Sequence, residues 1–192
     1  LVIASGFSHS AKDVEGLDMK VFWADSFRVA SLARWLAQRS ASVDPDSAFT
    51  TGIIYNIGQL LLHLAEPNRA RIVQSLIKTT KLSRTAAEME LLGFTTQDAG
   101  QALLDLWKFP PELGLAVKQY KKPLSYNPAS TLSAVLNLAC YLNNAIVSNR
   151  DEDTIREFIP KKVLELAGID IAITYELDEA LNLDAGLNIL LD

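Results

Sequence analysis

Few residues in this chain have the chemistry to act on a substrate. There are two histidines, His9 and His63. His9 lies in a polar stretch, Ser8-His9-Ser10. His63 lies in a helical stretch, seven residues after Asn56, so the two can share a helix face. A metal site wants several converging ligands. A lone helical histidine is more often a surface or satisfied core residue, so neither histidine is assigned ligand duty. Carboxylates are plentiful, but no pair stands out. Glu88 and Glu90 are two apart and point to different faces of a helix. Glu88 is better explained as a helix cap. Asp98 and Asp105 face similarly, as acids on an exposed stripe also do. The single cysteine, Cys140, sits in the apolar stretch Asn137-Leu138-Ala139-Cys140-Tyr141-Leu142 and reads as a buried, inert thiol. There is no Gly-rich phosphate loop, no Gly-x-Ser-x-Gly elbow and no Cys-x-x-Cys. The residues alone therefore predict a helical domain without visible catalytic equipment.

The bulk properties narrow the partners. The chain has 192 residues, 49% hydrophobic and 21% charged, enough for one sizeable core. Its net charge is −5, whereas nucleic-acid binders usually carry a basic excess. Lys118, Lys121 and Lys122, with Arg69 and Arg71, form the only candidate basic surface, and the overall acidity argues against it. No apolar run approaches the ~18 residues of a membrane span. One cysteine excludes an internal disulfide, and no secretion signal is visible, so the cytoplasm is the expected compartment. The chain opens at Leu1, and we read it as a piece of a longer protein.

The positioning elements are helical almost throughout. The apolar stripe from about residue 18 to 39 suits a core-facing helix. Asp44-Pro45 opens a second helix expected to run to about Leu64, with Gly52 and Gly58 serving close packing or a bend. Glu66-Pro67 starts a third, facing inward through Ile72, Leu76, Val73 and Ile77. A fourth runs from Arg84 to Leu92, with Thr85 and Glu88 as a capping box and Gly93 as its stop. Thr95 and Asp98 cap another helix through Trp107, and Pro110-Pro111-Glu112 opens one to about Tyr120. Asn127-Pro128 opens the cleanest amphipathic pattern, through Ile146. Helices near Thr154–Phe158 and Lys161–Ala167 follow, then a tail helix from Asp170 to Asp192. Ile169–Tyr175 is the one plausible strand. The predicted fold is an all-α, single multi-helix bundle.

Three stretches in fixed order go further. They are Phe22-Trp23-Ala24-Asp25-Ser26, then Gly52-Ile53-Ile54-Tyr55-Asn56-Ile57-Gly58, then Leu92-Gly93-Phe94 with Leu104-Asp105-Leu106-Trp107-Lys108-Phe109-Pro110. Together they resemble the HDOD domain, a divergent branch of the HD phosphohydrolase superfamily, over about Leu1 to Ile146. The resemblance implies one HD-like domain across residues 1–192, with 150–192 as its C-terminal helical extension and a further helical segment expected upstream.

Catalytic HD proteins hold metals through histidines and aspartates at set places. The resemblance puts Asp25 at the first histidine place, Tyr55 and Asn56 at the His-Asp doublet, and Thr96 at a later histidine. Tyr120 and Lys121 stand at a histidine pair, and Cys140 at an aspartate place. Tyrosine and threonine bind divalent metals poorly, asparagine offers only a neutral carbonyl, and lysine brings positive charge. The resemblance therefore implies no metal, no cofactor and no hydrolase activity. It implies instead an output or interaction module of a bacterial signalling protein, such as a response regulator in a two-component system. A protein partner or self-association is expected, the apolar residues Leu181, Leu187 and Leu190 of the tail being one candidate surface. The former cleft is either a packed polar core or a small-ligand pocket lined by Asp25, Tyr55, Asn56, Thr96 and Tyr120. The alternative is a residual metal-dependent phosphohydrolase acting on nucleotides or cyclic dinucleotides.

Overall fold

The computed structural model describes residues 14–183. Helix α1 (Met19–Ala37) is its axis. The Asp18 carboxylate accepts the Val21 N–H at 3.1 Å and so starts the helix. Its C-terminal half is buried almost all round, with Leu32, Ala33, Trp35, Leu36 and Ala37 in the main core. Such a helix needs neighbours on several sides, and α2 (Pro45–Ile54) and α8 (Thr131–Val147) supply them.

The stretch from Pro45 onward is two helices. The first ends at Ile54, and α3 (Ile57–Ala65) begins after a break at Tyr55-Asn56. This corrects the single helix expected to about Leu64. The glycines explain the break. Gly52 lies against the backbone of Ala30 on α1, so closely that a Cβ there would collide with it. Gly58 lies equally close to the backbone of Thr96 and Gly100 on α6 (Thr96–Leu106). Six residues apart on one straight helix, the two would face directions about 120° apart along one fixed axis. The break lets each segment choose its own crossing.

Helix α4 (Pro67–Thr80) buries Ala70 and Val73 and half-buries Leu76 and Ile77, so the expected inner face holds except at Ile72, which is exposed. Helix α5 (Arg84–Leu92) is capped by Ser83, whose hydroxyl accepts from Ala86 N, and not by a Thr85–Glu88 box. Gly93 closes it at φ 76°, a left-handed conformation that favours glycine. The capping box of Thr95 and Asp98 at α6 is present in both directions. Helix α7 (Pro111–Gln119) follows. The long α8 begins at Thr131 with Ser130 as its cap, four residues after the Asn127 start expected.

The C-terminal part comprises α9 (Glu152–Phe158), α10 (Lys161–Ala167) and a short α11 (Leu177–Asn182). Ile171–Tyr175 is a 3₁₀ turn, neither a strand nor part of one long tail helix. Ile155, Val163, Leu164, Ile173 and Leu177 join the same core as α1 and α8. Arg39 fastens α11 by reaching Glu176 at 2.7 Å and Glu179 at 2.6 Å while stacking on Trp35. Among the described residues there is no strand beyond an isolated bridge, Val14 to Leu17. No helix among them is long and apolar enough to cross a membrane.

Candidate functional site

Asp25 stands on α1, and Tyr55 and Asn56 stand at the α2–α3 break. Tyr120 and Lys121 follow α7, and Cys140 is on α8. The break therefore does more than relieve the glycines: it turns Tyr55 inward. Its ring meets that of Tyr120 edge-on, centroids 5.6 Å apart. Tyr120 is fully buried. Burial pushes both phenols above their ordinary range, and the proximity of Cys140 adds to it. Burial likewise pushes the Cys140 thiol up to about 12, with Lys121 opposing the rise. These are neutral groups, and metal-binding phenolates or thiolates would cost most here.

Thr96 is committed elsewhere. Its backbone N–H donates to Glu88 Oε2 at 2.9 Å, and its hydroxyl donates to the same carboxylate at 3.0 Å. Glu88 is fully buried, with the Arg84 guanidinium 3.7 Å away. It does act at a helix terminus, as expected, but at that of α6 rather than its own. Gln97 donates to the Thr96 hydroxyl at 3.2 Å and lies beside the Tyr120 hydroxyl. A polar chain thus runs Arg84, Glu88, Thr96, Gln97, Tyr120. Gln97 carries no motif, and nothing in the sequence marked it.

Asp25 has a different partner. Arg28, one turn along α1, donates to Asp25 Oδ1 at 3.1 Å and to Asn143 Oδ1 on α8 at 3.1 Å. The Arg28 side chain is only 14% exposed. Neither Arg28 nor Asn143 belonged to the candidate set. The i, i+3 spacing from Asp25 and from Cys140 was the available signal. Asn56 is half-buried and makes no capping bond with its side chain. Lys121 is exposed, its ammonium 4.9 Å above the Tyr120 ring.

The resident metal of catalytic HD proteins does not fit these residues. Among the described residues, no three of His, Cys, Asp and Glu converge on one point. The one carboxylate in the set, Asp25, already faces a guanidinium. At an effective dielectric near 20 and ~4 Å separation, two unit charges repel by about 4 kcal/mol, and a divalent ion doubles that. Two surface depressions, of about 340 and 240 Å³, lie elsewhere. The first is lined by Lys121, Lys122, Leu124 and Asn137, the second by Arg34, Trp35 and Phe49. Only Lys121 of the candidate set touches either.

The other candidates are dispersed. His63 is buried, its Nδ1 3.0 Å from the Glu15 carbonyl, on the far side of the α2–α3 break from Tyr55. His9 lies outside the described residues, as do Leu187 and Leu190. Leu181 is partly buried against the core. Arg69 pairs with Glu66, Arg71 with Glu15 and Lys118 with Asp98, so these basic residues have acidic neighbours.

Known proteins place this arrangement. A search of curated proteins finds no significant match. A solved structure from Shewanella amazonensis SB2B, provisionally named a phosphohydrolase, is 29% identical, with a TM-score of 0.81 over 98% of this chain and 70% of that one. An HDOD domain protein of unknown function from Geobacter sulfurreducens is 18% identical, with a TM-score of 0.71 over 90% and 64%. The MmoQ response regulator of Methylococcus capsulatus is 19% identical, with a TM-score of 0.67 over 88% and 63%. At those identities the last two speak to the fold alone. The chain spans roughly two thirds of these structures. The profile of the HDOD domain matches residues 1–123, well over half of the sequence and inclusive of every candidate site residue except Cys140. With the helical architecture and the three motifs in order, that match makes this chain a member of the HDOD domain family.

Proposed function

We propose that this chain is a non-catalytic signal-transduction module, the output or interaction part of a bacterial regulatory protein, working in the cytoplasm through a protein partner and without a cofactor. The observation that carries the reading is the engagement of the old ligand places with one another or with neighbouring side chains. Thr96 spends its hydroxyl and its amide on Glu88. Tyr55 and Tyr120 stack. Asp25 faces Arg28. A hydrolytic site needs about three protein ligands open to one ion, and side chains already paired have little left to offer. The fold likeness to a response regulator agrees with a regulatory role. The former cleft is a packed polar core, in keeping with the usual pairing of buried polar groups.

The likeness to a protein provisionally named a phosphohydrolase favours the second reading, a residual metal-dependent enzyme. One experiment separates the two. Purified protein is incubated with nucleotides, cyclic dinucleotides and p-nitrophenyl phosphodiesters in the presence of Mn²⁺, Fe²⁺, Zn²⁺ or Mg²⁺. The regulatory reading expects no turnover above the protein-free blank. Metal-dependent turnover that disappears in Asp25→Ala would replace it with the enzymatic one.

A further inference from the structure

We infer that Arg28 is the built-in cation of this site, a guanidinium doing structurally what a metal ion does in a catalytic HD domain. The inference rests on the non-catalytic reading and deepens it. Two of the exchanged ligand places are Asp25 on α1 and Cys140 on α8. Arg28 lies one turn beyond the first, and Asn143 one turn beyond the second. Its Nη1 bridges the Asp25 carboxylate and the Asn143 carbonyl oxygen, each at 3.1 Å, across 115 residues of sequence in the latter case. A metal would do the same two jobs: neutralise the carboxylate and tie the helices. An ordinary surface ion pair does neither, because it is solvated and gains little. Here Arg28 is largely withdrawn from solvent, and Asn143 is buried at 5% exposure. One guanidinium nitrogen carries two hydrogens, one for each acceptor, and the charge persists at every accessible pH. The polar centre of Tyr55 lies within its field.

The consequence is regulatory. A cation carried by the chain cannot be lost to chelation or exchanged, so the α1–α8 junction keeps one geometry whatever the metal supply. A partner reading that surface meets a constant shape.

The test is a double-mutant cycle followed by thermal melting, in EDTA and in 1 mM Mn²⁺, on the whole chain. Arg28→Met lowers Tm by roughly 5 °C, Asp25→Asn lowers it less, and the double variant recovers most of the Arg28→Met loss because the Asp25 charge is no longer left uncompensated. Arg28→Lys keeps the charge on a side chain of different length and geometry, so it falls between wild type and Arg28→Met. The wild-type Tm is the same in EDTA and Mn²⁺. Should Arg28→Met prove unfolded, Arg28→Lys and Asn143→Leu carry the comparison, and each is expected to lower Tm. Strictly additive losses at positions 25 and 28 overturn the inference. So does a Mn²⁺-dependent rise in the wild-type Tm that Asp25→Asn abolishes. Turnover assays address the non-catalytic reading separately, so either result can stand while the other falls.

Discussion

Glu88 offers the sharpest test of how Thr96 is held. Its carboxylate is fully buried and accepts the Thr96 N–H at 2.9 Å and the Thr96 hydroxyl at 3.0 Å. Glu88→Ala removes the acceptor for both donors and leaves them inside the protein. An orphaned buried donor costs roughly 1–3 kcal/mol, and the void left by the side chain adds to that. Arg84, about a third exposed, loses a contact that water largely screens, so it contributes little. The sum is about 3–5 kcal/mol. For a domain of this size each kcal/mol moves Tm by about 2–4 °C, giving a fall on the order of 10 °C. Thr96→Val is the control. It keeps the backbone N–H bond and removes only the hydroxyl, so about 1 kcal/mol is expected, including the bond that Gln97 loses. Urea unfolding followed by circular dichroism at 222 nm measures both. A loss below 1 kcal/mol for Glu88→Ala, or a loss for Thr96→Val that equals it, would refute the assignment of Glu88 as the group that fixes α6 and Thr96.

Two further outcomes follow from the packing. Gly58→Ala drives a Cβ into the Thr96 carbonyl and the Gly100 amide, backbone that cannot step aside, so a loss of at least 2 kcal/mol is expected in the same unfolding assay. The alkaline limb of stability is set by the buried acids. Cys140 is raised to about 12 and Tyr120 above its ordinary value, both mainly by burial, so the folded state holds these protons longer than the unfolded chain does. Their contribution is therefore fully present below about pH 9 and is lost as pH climbs toward 12, by up to about 1.4 kcal/mol per pH unit for each proton. Melting points between pH 8 and 11 should fall steeply, and less so in Cys140→Ala. Labelling of the native thiol by a disulfide reagent at pH 8 should be roughly a thousandfold slower than in urea, following its thiolate fraction.

The sequence carries the helices more clearly than their relations. Asp18, Thr95 with Asp98, Pro111 and Gly93 mark termini through local chemistry that needs no tertiary partner, and those boundaries fall where the residues place them. The break at Tyr55-Asn56 escaped because it answers to α1 and α6, which lie 20 or more residues away on either side. Glu88 escaped for the same reason. Its capping spacing with Thr85 is a local pattern, and the competing acceptor role toward Thr96 is visible only once α5 and α6 stand side by side. On α4 only Ile72 departs from the expected face, because it is as apolar as Val73 and periodicity alone cannot rank them.

The candidate site divides along the same line. Positions 25, 55, 56 and 96 are legible in sequence because motifs beside them fix the register, whereas 120, 121 and 140 have no such motif beside them. What those residues do is not legible, since it depends on Arg28, Gln97 and Asn143, which carry no motif. The crossings of the fold, by contrast, rest on Gly52 and Gly58 meeting backbone. Backbone contact at a glycine is indifferent to the chemistry of neighbouring side chains. The helices can therefore keep their crossings while side chains between them change, provided each new polar group finds a bond. Thr96 on Glu88 and Asp25 on Arg28 meet that condition. A polar residue placed there without such a partner should cost stability even though the glycine crossings are untouched.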